Sequence, residues 1–272
     1  MRKANISSIE FSDIQPNPPY NKVDEAANIA KKEKCDVIIG IGGGSTIDTA
    51  KAVAVVLGGG GSSWDYVQRT DHDVKKPNKA TLPIIAIPTT AGTGSETTLY
   101  AVLTNPDIKE KSTIISPMIF PKVALIDPEL TVGATLAGVA ISHGGTTLPH
   151  ALGQAVGGYY NAPHGGTIAA SYVAVMEYSF ISNQTKFAKI AEIMDPSVIT
   201  LPLRVRAEKT VTLIEQFLKD INLNIKFSDY GVKKADLPRL FESVLKGYKQ
   251  DVEAHPRVAT KEEIANIYYK CL

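Results

Sequence analysis

Three consecutive stretches decide the fold: Cys35-Asp-Val-Ile-Ile-Gly-Ile41, then Gly42-Gly-Gly-Ser-Thr46, then Ile47-Asp-Thr-Ala-Lys-Ala-Val-Ala-Val-Val56. The first is a short apolar run between charge and glycine, which is typical of a strand buried on both faces of a parallel sheet. The third has the length and composition of a helix. Two more apolar runs, at 82–88 and 123–127, predict further buried strands. Strands that alternate with helices in this way predict a doubly wound α/β domain.

The flanking sequence extends this pattern and then changes it. A weakly alternating run at 6–14 predicts another strand, and apolar residues spaced as one helix face predict a helix at about 22–34. From about residue 131 no convincing strand follows. Helix-compatible spacing recurs instead in six segments: 139–155, 166–178, 184–194, 204–218, 236–246 and 261–269. We therefore expect an α/β domain at 1–130 and an all-helical domain at 131–272.

Composition and charge narrow the class of protein. The chain has 272 residues, 44% hydrophobic and 21% charged, so it can bury enough apolar surface to fold. Its 29 basic and 28 acidic side chains give a net charge of +1 without basic blocks, which argues against a nucleic-acid or membrane partner. Two cysteines are too few for a disulfide framework, and no apolar run approaches the ~20 residues that span a bilayer. The expectation is a cytoplasmic protein.

The glycine run lies where a buried strand passes into a helix, within Gly40-Ile-Gly-Gly-Gly-Ser-Thr-Ile-Asp48. Glycine lets the backbone approach a ligand closely, and a helix N-terminus offers N–H groups with positive dipole character. We interpret this loop as a pyrophosphate site. Because it is neither G-x-G-x-x-G nor a Walker loop, the alternative is a tight turn that needs glycine for packing.

A second polar loop, Pro88-Thr-Thr-Ala-Gly-Thr-Gly-Ser-Glu96, follows another buried strand. Its hydroxyls can bond phosphate, ribose or carboxamide, and its small residues leave space for a flat ring. Two such loops at the carboxyl ends of neighbouring strands line one crevice, which is where open α/β sheets bind ligands. The alternative is a Ser/Thr-rich turn whose hydroxyls cap a helix.

A third region, from Leu148 to His164, contains two histidines 14 residues apart, His150 and His164. Two imidazoles that meet across a turn between helices could hold a divalent metal. Such a pair is more often engaged in packing or hydrogen bonding, and two nitrogens are not a full coordination shell. The histidines at 72 and 255 lie in charged or proline-flanked stretches, so we expect them at the surface.

Five strings of this sequence resemble, in order, the iron-containing (group III) alcohol dehydrogenase family. They are Gly42-Gly-Gly-Ser-Thr-Ile-Asp-Thr-Ala-Lys51, Trp64-Asp-Tyr66, Pro88-Thr-Thr-Ala-Gly-Thr-Gly-Ser-Glu96, Ala124-Leu-Ile-Asp-Pro-Glu-Leu130, and His150 with Asn161-Ala-Pro-His164. The resemblance implies a dehydroquinate synthase-like fold: a Rossmann-like dinucleotide-binding domain followed by a helical domain. It also implies that metal and substrate lie in the cleft between the domains and that the protein forms a homodimer or larger homo-oligomer.

The resemblance also assigns roles, which we carry over residue by residue. It implies that NAD or NADP contacts both loops and three further positions: Gly42, Gly43, Gly44, Ser45, Asp48, Thr89, Thr90, Thr93, Ser95, Lys111 and Leu130. Among these, Asp48 would face the cofactor, Lys111 would contact it, and Leu130 would lie near its adenine end. His150 and His164 match two metal ligands of the family.

The sequence departs from the family in two places. Full-length members begin with a strand–helix unit before the equivalent of Ile6, so the sheet is expected to be incomplete here. After Leu130, members continue with a helical segment that carries an aspartate and a histidine, which complete the metal shell. Here Thr131-Val132 runs straight into Gly133, and that element has no counterpart. In addition, Gln154 stands where many members have another histidine near the substrate.

The expected function is therefore that of an oxidoreductase. A hydride passes between a small alcohol or aldehyde and NAD or NADP, while a divalent metal, iron or zinc, polarises the alcohol oxygen. Since one carboxylate and one imidazole are missing, we expect weakened or absent metal binding and turnover. Asp127, Glu129 and His143 are the only nearby groups that could replace them. The alternatives are an inactive NAD(P)-binding remnant and a truncated isoform that folds poorly because its sheet edge is exposed.

Overall fold

The computed structural model describes residues 6–69 and 73–272, and for 128–132 the backbone alone. It divides into two compact units, Met1–Gly145 (unit 1) and Thr146–Leu272 (unit 2). The domain boundary expected from the sequence, at 130/131, falls inside a helix that belongs to unit 1. Along the chain, unit 1 contains α1 (Tyr20–Lys32), β1 (Ile38–Gly42), α2 (Gly44–Gly59), β2 (Ile84–Pro88), β3 (Tyr100–Asn105), β4 (Glu110–Ile115), β5 (Val123–Ala124) and α3 (Pro128–Gly144).

Unit 1 is built on the predicted parallel sheet. Its three strands run in the order β1–β2–β5, and the register places Gly42 opposite Pro88. The carboxyl ends of β1 and β2 therefore lie side by side, and the glycine loop and the second polar loop both begin there. The parallel sheet with its helices confirms the α/β fold class for this unit.

The helices of unit 1 follow from their apolar residues. In α1, Val23, Ala26, Ala27 and Ala30 form one buried face, as the helical spacing predicts. In α2, the run from Thr49 to Val55 is buried throughout, so this helix has no solvent-facing side over two turns. Both helices contribute to one apolar cluster, which also contains the fully buried ring of Tyr66.

Unit 1 departs from the expectation in two places, a predicted strand that does not form and a hairpin that was not predicted. The segment 6–14 forms no strand. Because Ile6 and Ile9 are exposed, burial of these side chains does not stabilise strand pairing there. The sequence analysis also missed an antiparallel hairpin, in which β3 pairs with β4 from Tyr100–Ile115 to Asn105–Glu110. Burial alternates along β3 in the structure, whereas its sequence, Tyr100-Ala-Val-Leu-Thr-Asn105, does not alternate between apolar and polar residues.

Among its described residues unit 2 contains helices and no strand, as predicted. It contains α4 (Leu148–Tyr160), α5 (His164–Ser179), α6 (Gln184–Met194), α7 (Leu203–Asp220), α8 (Leu237–Gly247), α9 (Lys249–Glu253) and α10 (Lys261–Lys270). The single helix expected at 139–155 is instead α3 and α4, separated at Gly145, which adopts a φ of +71°. None of the helices in the described ranges 6–69 and 73–272 is long and apolar enough to cross a membrane.

Candidate functional site

The glycine loop leaves the N-terminus of α2 open. Gly43 occupies the N-cap position in an extended conformation, and no side chain within the described residues caps the helix there. The N–H groups of Thr46 and Ile47 bond to the carbonyl of Gly43, so the helix is fully wound from its first turn. Because the first N–H groups of a helix have no intrahelical partner, this terminus can receive an anionic group.

The second loop lies directly against the first. The N–H of Thr89 donates to the carbonyl of Gly42 at 3.0 Å. A Cβ on Gly44 would lie 2.5 Å from Cγ2 of Thr93, and one on Gly43 would lie 3.2 Å from Oγ1 of Thr90. The side chains of Thr89, Thr90 and Thr93 are exposed. The structure therefore brings the two predicted loops together, with three threonines at the open end of α2.

Ser95, in contrast, is buried and belongs to an internal network of unit 1. Its hydroxyl donates to Oδ1 of Asp48 at 2.6 Å, and the N–H of Val102 donates to Oδ2 of Asp48 at 3.0 Å. Burial raises the pKa of the Asp48 carboxyl, although Lys51 and Ser95 act in the opposite direction. Both carboxylate oxygens thus have protein partners, and contact of Asp48 or Ser95 with the cofactor stays a prediction.

Lys51 is a site residue to which the sequence analysis gave no role. It is fully buried, and its Nζ donates to the Ser95 carbonyl at 2.7 Å. A signal was present, since Lys51 is the only charged residue of the wholly buried run in α2. A lysine in such a run must find acceptors inside the protein, because burying an unpaired charge is very costly.

Two other predicted cofactor contacts lie in unit 1. Lys111 on β4 is 5% exposed, and its Nζ donates to Oδ1 of Asn17 at 2.6 Å. Burial lowers the pKa of Lys111 to about 8. Leu130 lies among the residues whose side chains are outside the described part of the structure. The cofactor roles of Lys111 and Leu130 stay predictions.

The two predicted metal ligands meet in unit 2. The ring centroids of His150 on α4 and His164 at the start of α5 are 5.3 Å apart, with an interplanar angle of 52°. Burial lowers the pKa of His150 to about 4, so its imidazole is neutral at pH 7. A neutral imidazole is the form that ligates a metal.

The rest of a metal shell is not formed by the residues the structure describes. Among them, no group of three or more histidines, cysteines, aspartates or glutamates could hold a metal ion. His143 is exposed, with Nδ1 2.8 Å from the carbonyl of Val139, and the side chain of Glu129 lies outside the described part. Two imidazoles do not fit the four-ligand set that the family resemblance implies.

Two buried polar groups of unit 2 were not expected. Gln154 lies one helical turn after His150 on α4, and its Oε1 is buried without a hydrogen-bond partner among the described residues. His255 is 8% exposed, so its expected surface position is wrong. The Nε2 of His255 lies 2.7 Å from the Ser179 hydroxyl, and burial lowers its pKa. The sequence around His255 is charged, but the fold encloses the imidazole.

Comparison with known proteins identifies the family. The family model described as "Iron-containing alcohol dehydrogenase" matches residues 1–128. The model described as "Fe-containing alcohol dehydrogenase family, C-terminal" matches residues 125–272. The chain is 31% identical to the NAD-dependent methanol dehydrogenase of Bacillus methanolicus, over 100% of this chain and 86% of that protein. It is 28% identical to the 1,3-propanediol dehydrogenase of Klebsiella pneumoniae, over 98% and 84%. The chain belongs to the iron-containing alcohol dehydrogenase family.

Solved structures agree with this assignment. An archaeal halo-thermophilic alcohol dehydrogenase from a Red Sea brine pool matches with a TM-score of 0.91 at 27% identity, over 100% of this chain and 86% of that one. A 1,3-propanediol oxidoreductase matches with a TM-score of 0.88 at 27% identity, again over 100% and 86%. The predicted two-domain fold class is thereby confirmed. The methanol dehydrogenase alignment spans 338 positions against 272 residues here, so that relative contains segments without counterpart in this chain.

Proposed function

We propose that the chain binds NAD at the two loops of unit 1 and acts as an oxidoreductase on a small alcohol or aldehyde. One observation carries the proposal: the uncapped N-terminus of α2 meets three exposed threonines where β1 and β2 end side by side. A pyrophosphate fits a helix N-terminus of this kind because the ligand accepts from N–H groups and interacts favourably with the helix dipole. A relative whose name includes "NAD-dependent" supports the choice of dinucleotide.

The residues of the site divide into two groups by their contacts. The first group is partly or fully exposed and would bind the dinucleotide: Gly42, Gly43, Gly44, Ser45, Thr89, Thr90 and Thr93. Asp48 and Ser95 form the second group, whose side chains hold the second loop from inside. When bound, the dinucleotide would supply the hydride chemistry, and this chain would supply its binding and orientation. NADP is the alternative dinucleotide, to be distinguished by titrating both.

This chain matches only two of the four metal ligands that the family resemblance implies. The family is iron-containing by its description, and this chain offers His150 and His164. We propose that iron or zinc binds weakly there and that turnover is correspondingly low. A second function, NAD(P) binding without catalysis, is favoured by one observation: the described side chains provide no third acidic, thiol or imidazole group beside the histidine pair.

The proposed partners are few. The substrate is a small alcohol or aldehyde, and the net charge of +1 without basic blocks argues against nucleic acid and membrane surfaces. We propose a homodimer or larger homo-oligomer in the cytoplasm. Size-exclusion chromatography with light scattering tests the assembly, because a monomer near 29.2 kDa at micromolar concentration would contradict it.

The test of the proposed function combines binding and turnover on the same preparation. NADH fluorescence is titrated, and alcohol oxidation is then assayed with no added metal, with Fe²⁺ and with Zn²⁺. Binding with metal-stimulated turnover supports the oxidoreductase. Binding without turnover under any condition supports the inactive NAD(P)-binding alternative. Absence of binding contradicts both, and a broad or missing thermal transition would then indicate an isoform that folds poorly.

A further inference from the structure

Lys51 reaches from α2 into the end of the second loop. Its Nζ lies within hydrogen-bond distance of five oxygens: the Ser95 carbonyl at 2.7 Å and hydroxyl at 3.1 Å, the Thr98 carbonyl at 2.9 Å and hydroxyl at 3.1 Å, and the Tyr100 carbonyl at 2.8 Å. An ammonium group has three hydrogens, so these acceptors can satisfy every one of them. All five lie between Ser95, near the end of the second loop, and Tyr100, the first residue of β3.

These oxygens form a buried binding site for the ammonium group of Lys51. Lys51 is 0% exposed, Ser95 is 5% exposed and Thr98 is 4% exposed, so water does not compete for these bonds. Asp48, one helical turn before Lys51, accepts from the same Ser95 hydroxyl. Two side chains of α2, three residues apart, therefore hydrogen-bond to the hydroxyl of one serine: Lys51 donates to it and Asp48 accepts from it. Hydrogen bonds to charged groups are the strong ones in proteins, roughly twice as strong as neutral pairs.

The segment that Lys51 holds, residues 95–100, directly follows the exposed threonines in the chain. The loop leaves β2 at Pro88, presents Thr89, Thr90 and Thr93, and is then fixed at Ser95. The N–H of Ser95 donates to Oγ1 of Thr93 at 3.2 Å, which links the fixed end to the exposed one. Since Lys51 and Gly44 belong to the same helix, the loop is anchored to the helix whose N-terminus it faces.

We infer that Lys51 is a positioning residue for dinucleotide binding. With Asp48 it holds the second loop against α2, so that the threonines keep a fixed position relative to the helix N-terminus. This inference rests on the proposed function for the identity of the ligand. Preorganisation of this kind raises affinity because the loop does not lose further conformational freedom on binding. Because Lys51 is fully buried, it would act on the dinucleotide only through the loop that it holds.

The test compares Lys51→Met with a matched control, Val55→Ala. Val55 lies one turn further along α2 and is equally buried, in the apolar cluster of unit 1. Amide hydrogen exchange is measured without nucleotide, and NADH affinity is titrated. For Lys51→Met we expect exchange of residues 89–100 to rise at least tenfold relative to amides of α1, and the NADH Kd to rise at least tenfold. Val55→Ala should leave both ratios within twofold.

Two outcomes would overturn the inference: unchanged exchange at 89–100 in Lys51→Met, or an equal loss of NADH affinity in both variants. If Lys51→Met does not fold, Ser95→Ala replaces it, because this variant removes the hydroxyl shared by Lys51 and Asp48 and retains the other acceptors. It should raise the Kd about threefold, and an unchanged Kd would again contradict the inference. If the wild-type chain binds no NADH, the proposed function fails, and exchange alone decides whether Lys51 anchors the loop.

Discussion

At the scale of single residues, the packing of Gly44 fixes how closely the two loops approach. A Cβ there would lie 2.5 Å from Cγ2 and 2.7 Å from Oγ1 of Thr93, a separation that real side chains do not tolerate. Any larger residue must push Thr93 away from the N-terminus of α2. The glycine is therefore required by a contact between loops, and the same contact places a threonine hydroxyl beside the helix end.

The first prediction concerns the variant Gly44→Ala. We expect the NADH Kd to rise at least tenfold in a fluorescence titration, because Thr93 must move. Overpacking of this kind costs about 1–3 kcal/mol of stability. Gly133→Ala is the control, since nothing lies within 4 Å of its added Cβ and alanine is the better helix former. Gly44→Ala with wild-type affinity would contradict the proposed contact between the loops.

The second prediction concerns His255 and pH. Burial holds the folded-state pKa of His255 below 6.5, its ordinary value. Below pH 6.5 the unfolded chain therefore binds a proton that the folded chain does not, and stability falls as the pH falls through this range. One such group contributes a slope of at most about 1.4 kcal/mol per pH unit.

The measurement is urea unfolding between pH 7 and pH 5 for the wild type and for His255→Gln. The wild type should lose stability more steeply on acidification, because the glutamine side chain takes up no proton. The buried His150 also titrates and contributes equally to both proteins, so it cancels in the comparison. Identical slopes for the two proteins would contradict the buried neutral state of His255.

At the scale of elements, the sequence predicted those whose signals are local. The buried face of α1, the strands β1 and β2, and the helices α5, α6, α7 and α10 follow from periodicity and short apolar runs. The hairpin β3–β4 was missed because its strands are stabilised by non-local contacts: they pair with each other, and Ala101, Leu103 and Ile114 are buried in the apolar cluster of unit 1. The segment 6–14 has a weak alternation but forms no strand pairing with any other described segment.

The third prediction concerns the start of α10, where Thr260 and Glu263 form a capping box. The N–H of Glu263 donates to Oγ1 of Thr260 at 3.2 Å, and the N–H of Thr260 donates to Oε2 of Glu263 at 2.9 Å. Thr260→Ala removes the cap and should lower the free energy of unfolding by about 1 kcal/mol. Thr260→Ser keeps a hydroxyl and should recover most of that loss in the same urea titration. Equal losses would show that the hydroxyl does not act as a cap.

At the scale of the whole molecule, the two units differ in how complete their predicted sites are. In unit 1 the glycines and threonines come together as predicted, because the carboxyl ends of neighbouring parallel strands meet at one edge of a sheet. The network of Lys51, Asp48 and Ser95 could not be deduced, since it depends on the path of the loop after Pro88. In unit 2 the two histidines meet, but the described residues add no third ligand of the usual kinds.

The fourth prediction follows from this difference. Protein purified without chelators should contain well below one iron or zinc per chain by elemental analysis, because two imidazoles alone hold a metal weakly. His150→Ala should lower the metal content further and leave NADH affinity within twofold, since the two sites use different residues. One tightly bound metal per chain would contradict the proposal and would indicate that other groups complete the shell.

We propose that this chain binds the dinucleotide independently of the metal. The most direct measurement is calorimetric titration of NADH into the full chain before and after treatment with EDTA. We expect one NADH per chain, with the same Kd within twofold in both titrations. Absence of binding, or binding that EDTA abolishes and added Fe²⁺ or Zn²⁺ restores, would contradict it.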